Sequence, residues 1–261
     1  MNRPMNRPMN RPMNRPLPAA AAVATERPAL FLAEAVGELN DGANFLARLT
    51  TAEWQAVRRR GSEVAIEAGG SVFLQGDPHK GIWLIEQGMV RTFYAAPSGR
   101  QITLAYWTAG HFVGGPEIFG GGVHVWSADV AQNCRLLYLP AAATRQLVET
   151  QPSFALCLIE GLVAKGKCYS ALVQMLGTRS VVERLTQLLV ILAEHHGRQD
   201  GNRLVIERKL THDQIATIVG STRQWVTMTL DKFQKKGIIS VARQSIVIER
   251  YDLLMAQINL D

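Results

Sequence analysis

The spacing of apolar residues changes along the chain and predicts strands in one part and helices in the others. Between residues 62 and 140, short apolar or alternating runs are separated by turn residues such as Gln87-Gly88 and Ala109-Gly110. Several short strands at a spacing of about ten residues predict a β-sandwich or β-barrel. The predicted strands cover residues 72–74, 82–85, 90–94, 102–107 and 136–139.

Helical spacing lies on both sides of these strands. Apolar residues between 29 and 60 recur near helical intervals, and Thr50 with Glu53 forms the sequence pattern of a capping box. A longer helical pattern begins at Pro152, and about 25 helical residues span nearly 40 Å. Its apolar stripe is interrupted only locally by Lys165 and Lys167, and it contains Phe154, Leu158, Leu162, Cys168, Tyr169, Leu172, Met175 and Leu176.

Such a long stripe beside a sandwich favours a helix that pairs with the same helix of a second chain. A core helix within one chain is the alternative. A further amphipathic helix is predicted from Ser180 to about His196, with Gly197 ending it.

Residues 211–239 contain two predicted helices joined by a glycine turn. Thr211 and Gln214 form one capping-box pattern, and Ser221 and Gln224 form another after Gly220. The apolar positions of the two helices, Ile215, Ile218, Val219, Val226, Leu230 and Phe233, recur at helical spacing. Two capped helices around a sharp turn are typical of a helix-turn-helix.

The second helix, residues 222–236, carries polar residues at its N-terminal end, the end that enters the DNA major groove in this motif. An arginine can form two hydrogen bonds to guanine, and a glutamine can do the same to adenine. Residues 238–240 and 246–248 then predict a hairpin wing, whose tip would contact phosphate. The predicted DNA contacts are Thr222, Arg223, Gln224, Thr227, Met228 and Arg243. Lys232, Lys235 and Lys236 fit either phosphate contacts or a solvated face.

The distribution of charge agrees with this reading but does not carry it. The chain has 28 Lys and Arg against 22 Asp and Glu, for a formal net charge of +6. Residues 179–261 hold +3 and residues 29–178 hold −1, whereas residues 1–28 hold +4. The first 16 residues are four copies of Met-Asn-Arg-Pro, so residues 1–28 are expected to be a disordered tail.

At this point the sequence resembles the Crp/Fnr superfamily of bacterial transcription regulators. The resemblance rests on residues 74–77, 82–91 and 110–114 in the strand-rich part and on residues 218–224 in the helix-turn-helix. It implies an α+β protein with an N-terminal β-roll resembling a jelly roll, a long dimerisation helix and a C-terminal winged helix-turn-helix. It further implies a cytoplasmic homodimer that binds double-stranded DNA, contacts RNA polymerase and changes activity on binding an effector.

The expected units are a tail at 1–28, a sensor domain at 29–150, a dimerisation helix at 151–178 and a DNA-binding domain at 179–261. The resemblance places an effector pocket between the β-roll and the long helix. Its expected lining is Phe112, Val113, Gly114, Gly115, His124, Val125, Trp126, Tyr169 and Ser170.

The effector is not expected to be cyclic AMP. Members that bind it carry a glutamate for the ribose and an arginine for the phosphate. Gly115 stands at the glutamate position, and His124-Val125 lies near that of the arginine. An anionic phosphate buried without that arginine would cost several kcal/mol. A small organic or anionic metabolite, or no effector, fits better.

Cofactors and other functions are constrained by the few cysteines and histidines. Cys134, Cys157 and Cys168 are too few for the four-cysteine iron–sulfur cluster of oxygen-sensing members. Haem is not expected, because the ligands of haem-binding members are missing from residues 114–116. A metal on His79, His111 or His124 remains an alternative. A cupin-type enzyme using His111, Glu117 and His124 is the weakest hypothesis, because the chain lacks a His-X-His pair. No apolar run approaches the roughly 20 residues of a membrane span. A non-enzymatic regulator is therefore predicted.

Overall fold

The computed structural model describes residues 44–207, 210–242 and 245–258, without the side chains of His195 and His196. The predicted tail, the apolar residues between 29 and 43, and Arg243 at the wing tip lie outside the described residues.

The N-terminal unit is built on one antiparallel sheet of six strands. The strands are β1 (Ser62–Ile66), β2 (Ser71–Phe73), β3 (Gly81–Ala95), β4 (Gln101–Thr108), β5 (Phe112–Val113) and β6 (Ser127–Pro140). They follow the order β1-β6-β3-β4, while β2 pairs with β6 and β5 pairs with β3. This confirms the predicted jelly-roll-like β-roll.

The predicted turn at Gln87-Gly88 is wrong, because β3 continues through it. The register between β3 and β6 shifts on both sides of Gln87, which indicates a bulge rather than a chain reversal. Gly88 has φ +92°, and a Cβ there would lie 2.2 Å from the Asn133 carbonyl oxygen. Glycine is needed for the bulge, and the strands predicted at 82–85 and 90–94 are one strand.

Four helices flank the sheet, namely α1 (Phe45–Arg48), α2 (Thr51–Arg58), α3 (Ala141–Thr150) and α4 (Pro152–Thr178). The capping box of Thr50 and Glu53 is present. The stripe assigned to the dimer seam lies elsewhere, since Phe154, Leu158, Cys168 and Leu172 are buried against their own β-roll. A second apolar face of α4 is exposed instead.

The C-terminal unit surrounds the helix-turn-helix with a small sheet. It contains α5 (Val181–His196), α6 (His212–Val219), α7 (Arg223–Lys235) and α8 (Tyr251–Met255). The strands β7 (Gly197–Asp200), β8 (Arg203–Ile206), β9 (Ile239–Val241) and β10 (Ile246–Ile248) follow the order β7-β8-β10-β9. The wing is therefore part of a four-stranded sheet, of which only β9 and β10 were predicted.

The two units contact each other through β4 and α6. The Thr103 hydroxyl donates to the Thr217 hydroxyl at 3.0 Å, and the Arg100 guanidinium donates to the carbonyl oxygen of Gly220. A Cβ at Gly220 would lie 3.0 Å from Leu176 of α4. Hydrogen bonds from the sensor and a close approach of the long helix thus meet at the helix-turn-helix. We call these two hydrogen bonds the β4–α6 clasp.

Candidate nucleic-acid interface and effector site

The geometry of the helix-turn-helix begins with its caps. The amide of Gln214 donates to the Thr211 hydroxyl at 3.2 Å, and the amide of Thr211 donates to the Gln214 side chain at 2.8 Å. Gly220 ends α6 in the left-handed conformation, at φ 63° and ψ 46°. This conformation is cheap only for glycine, so the sequence fixes the turn between α6 and α7.

The recognition helix α7 is capped one residue later than the sequence pattern indicates. The Thr222 hydroxyl accepts a hydrogen bond from the Trp225 amide at 3.2 Å, so Thr222, not Ser221, is the N-cap. The predicted second capping box is therefore wrong. Arg223 and Gln224 become the first two helical residues, at the end where the helix dipole favours a phosphate.

The polar side chains of α7 lie on the side opposite its buried face. Val226, Leu230 and Phe233 are at most 1% exposed, whereas the Arg223 side chain is 69% exposed and Met228 is 63% exposed. The other contacts predicted near the start of α7, Thr222 and Gln224, are also exposed. The cluster therefore faces solvent on a helix held firmly from behind.

Two of the predicted DNA-contacting residues have partners within the motif. Arg223 lies 3.5 Å from the Asp213 carboxylate, and exposed pairs of this kind contribute little stability. The Thr227 hydroxyl donates to the Arg223 carbonyl at 3.0 Å and lies 2.7 Å from Nδ1 of His212. Arg223 can exchange its partner at low cost, while Thr227 connects α7 to α6.

The residues predicted to line the effector pocket divide into an interior group and an exposed group. Phe112, Val113, Gly114, Gly115 and His124 are buried, and the Trp126 ring contacts the Tyr169 ring edge-on with 5.4 Å between centres. Val125 is 48% exposed and Ser170 lies on the outer side of α4. The structure brings the interior group to the boundary between β5 and α4.

Lys165 belongs to this boundary, although the sequence reading treated it only as an interruption of the stripe. It is 5% exposed, and its Nζ donates to the Phe112 carbonyl at 2.7 Å. Burial lowers the pKa of Lys165 to about 7. Its position three residues before Cys168, on the buried stripe, was the available signal.

A pair of buried histidines lies on the other side of the glycine loop. The rings of His79 and His124 are 4.3 Å apart, and His124 stacks on Phe73 at 3.9 Å. Nε2 of His79 hydrogen bonds to the Gly114 carbonyl, while neither Nδ1 has a hydrogen-bond partner among the described residues. Burial, reinforced by His79, lowers the pKa of His124 to about 4. At neutral pH His124 is uncharged and cannot replace the missing phosphate-binding arginine.

The cysteines and acidic groups do not assemble into a metal site in the part of the chain that the structure describes. Cys134, Cys157 and Cys168 are buried free thiols, and burial raises the pKa of each. Within residues 44–258, outside the gaps noted above, no group of three His, Cys, Asp or Glu could hold a metal ion.

A β-roll joined by a long helix to a winged helix-turn-helix with an exposed recognition helix defines a DNA-binding transcription regulator. Residues 63–151 match the cyclic nucleotide-binding domain family, and residues 183–257 match the Crp-like helix-turn-helix domain family. The chain belongs to the Crp/Fnr superfamily of transcription regulators.

Curated relatives and solved structures agree with this assignment. The chain is 25% identical to the global nitrogen regulator of a Nostoc species, covering 70% of this chain and 83% of the relative. It is 26% identical to the CRP-like cAMP-activated global transcriptional regulator of Mycobacterium tuberculosis, covering 74% of this chain and 86% of the relative.

The fold is shared with the c-di-GMP responsive global regulator CLP of Xanthomonas campestris. The TM-score is 0.68 at 18% identity, and the match covers 76% of this chain and 99% of CLP. The CooA mutant structure from Carboxydothermus hydrogenoformans aligns with a TM-score of 0.67 at 22% identity, covering 82% of this chain and 94% of that structure. These families and relatives are regulators, which confirms the non-enzymatic prediction over the cupin alternative.

Membrane association was examined by helix length and hydropathy. Among the described residues, no single helix is long and apolar enough to cross a bilayer, and α3 with α4 meets the criterion only as a pair bent by 117°.

Proposed function

We propose that this chain acts as a homodimer that reads a two-fold symmetric DNA site with α7 and is controlled by an effector bound between the β-roll and α4. The observation that carries the proposal is the exposed N-terminal end of α7. Arg223 and Gln224 begin a helix whose opposite face is buried, so their side chains are free to reach base edges. Contact with RNA polymerase is part of the same proposal.

The homodimer is supported by the exposed face of α4. Leu156, Ile159, Val163 and Val173 are each at least 51% exposed, an unusual state for large apolar side chains within one helix. With Gly166, Ser170 and Gly177 they follow alternating intervals of three and four residues, the spacing of a coiled-coil seam. A Cβ at Gly166 or Gly177 would have no neighbour within 4 Å in this chain, which leaves room for a second helix.

The DNA-reading role is tested by selecting binding sites for the full chain from random duplex DNA. The expected result is a symmetric motif with half-sites about 34 Å apart. Arg223→Ala should weaken binding to that motif by about 1–3 kcal/mol and relax the choice of base at one position in each half-site.

Lys232→Ala is the matched control, because Lys232 is exposed further along the same helix. As a phosphate contact it should weaken binding to all sequences alike and reduce the slope of log affinity against log salt by about one. If Arg223→Ala also weakens all sequences equally, the base-reading role is wrong.

A further inference from the structure

Lys165 carries a positive charge into the protein interior without a negative partner. It is 5% exposed, and its only printed hydrogen bond is to the neutral carbonyl of Phe112. Within the described residues no carboxylate forms an ion pair or hydrogen bond with its Nζ. Burying a charge without a counterion is costly, so such groups are usually paired.

The surroundings of Nζ are aromatic and neutral. Nζ lies 3.5 Å from the centre of the Trp107 ring and 4.3 Å from that of the Phe112 ring. Ring faces stabilise a cation partly, but less than an anion does. The nearest ionisable group on α4, Cys168, has a pKa raised by burial to about 12 and remains a neutral thiol near pH 7.

The glycine loop leaves space next to this cation. At Gly115 a Cβ would meet nothing closer than Leu162 at 3.8 Å and Phe112 at 3.9 Å. Gly115 therefore presents open apolar space between β5 and α4, one residue from the backbone that Lys165 holds. The walls of this space suit a planar or apolar body.

We propose that Lys165 binds the carboxylate of a small organic monoanion whose apolar body packs against Trp107, Phe112 and the open side of Gly115. The proposal deepens the effector role and rests on the proposed function only for its regulatory meaning. A monoanion matches the single charge, because His124 is neutral and no second cation faces Nζ among the described residues.

The same hydrogen bond provides a route from the ligand to the long helix. Without ligand, Nζ joins α4 to the Phe112 carbonyl of β5. A bound carboxylate is a stronger acceptor than an amide carbonyl and replaces it. Ligand binding then releases β5 from α4, at the boundary between the sensor and the dimer seam.

The test measures binding of benzoate, phenylacetate and hexanoate, with the amide of each as a neutral counterpart. Calorimetry and the fluorescence of the full chain report binding. We expect at least one carboxylate to bind at least tenfold more tightly than its amide. Lys165→Met should abolish that preference, whereas Lys167→Met, which removes an exposed lysine two residues away, should keep it.

The pH profile provides a second readout. Lys165 must be protonated to bind a carboxylate, so affinity should fall as pH rises above 7, by about tenfold for each unit well above the pKa. The titratable neighbours are Cys168 and Tyr169 on α4 and His111, whose ring lies 5.8 Å from that of Trp107. His111→Gln controls for that imidazole. Lys165→Arg keeps the cation and should make the affinity flat from pH 7 to 9.

The proposal is overturned if no carboxylate binds more tightly than its amide, or if Lys165→Met retains the preference. The unmodified chain decides the matter through its own pH profile if neither Lys165 variant folds. DNA binding is measured separately. A chain that binds DNA but shows no carboxylate preference refutes this site alone, and one that binds carboxylates through Lys165 but not DNA refutes the proposed function alone.

Discussion

At the scale of single residues, burial sets the chemistry of the sensor more than its composition does. His124 is 2% exposed and Lys165 is 5% exposed, and both favour their neutral forms more than they would in water. The region that holds a cyclic phosphate in nucleotide-binding members therefore contains an uncharged imidazole here. The only interior cation described near it lies on the opposite side of the glycine loop, on α4.

We expect His124 to make the protein less stable as pH falls. Its pKa is near 6.5 in the unfolded chain and about 4 in the folded one, so the unfolded chain takes up the proton first. The free energy of unfolding should fall between pH 6.5 and 4 by up to about 3 kcal/mol. Denaturant unfolding of His124→Phe, which keeps the stacking on Phe73 but cannot titrate, measures this contribution.

The informative range for that comparison is pH 6.5 to 5, above the titration of most carboxylates. An unchanged slope in His124→Phe over this range would assign the acid sensitivity to other groups.

At the scale of elements, what could be predicted from the sequence was local, and what could not was set by partners distant in the chain. The capping boxes at Thr50 and Thr211 depend on residues three positions apart, and both are present. The continuity of β3 depends on its bulge against β6, and the buried side of α4 depends on the β-roll. Hydrophobic spacing alone does not distinguish these arrangements.

The site was predicted to a similar extent. The exposed start of α7 follows from its own sequence, whereas the role of Lys165 depends on Phe112, 53 residues earlier. The strand β7 was missed because its residues Gly197–Asp200 are mostly polar and exposed.

We expect Val163→Glu to separate the proposed dimer. The substitution places two carboxylates in the seam, where burial of like charges is unfavourable. Sedimentation equilibrium should show a dissociation constant raised at least about tenfold. Gln174→Glu adds the same charge to α4 outside the seven seam positions and should leave the dimer intact. A monomeric parent chain, or a dimer unaffected by Val163→Glu, would contradict the seam.

At the scale of the whole molecule, the sensor and the DNA-binding unit are packed together. Met89 and Tyr106 of the β-roll belong to the same apolar core as Leu185, Ile215 and Leu230. The β4–α6 clasp adds directional hydrogen bonds to this shared core. The position of α7 is therefore tied to β4 as well as to the long helix.

We expect the double variant Arg100→Ala and Thr103→Val to loosen this contact. Loss of about 1 kcal/mol of hydrogen bonding should raise amide hydrogen exchange in α6 about fivefold, while α3 is unchanged. Arg198→Ala, which removes an exposed ion pair of the same unit with Glu207, is the control. Equal protection of α6 in all three proteins would show that the clasp contributes nothing measurable.

Gly220 has a consequence for how such a protein can change during evolution. Its left-handed backbone sets the angle between α6 and α7, its carbonyl accepts from Arg100, and its missing side chain admits Leu176. One position thus serves both the shape of the DNA reader and its attachment to the sensor. A mutation that adapts one of these properties disturbs the other, so new DNA specificities should arise through the exposed residues of α7 rather than through the turn.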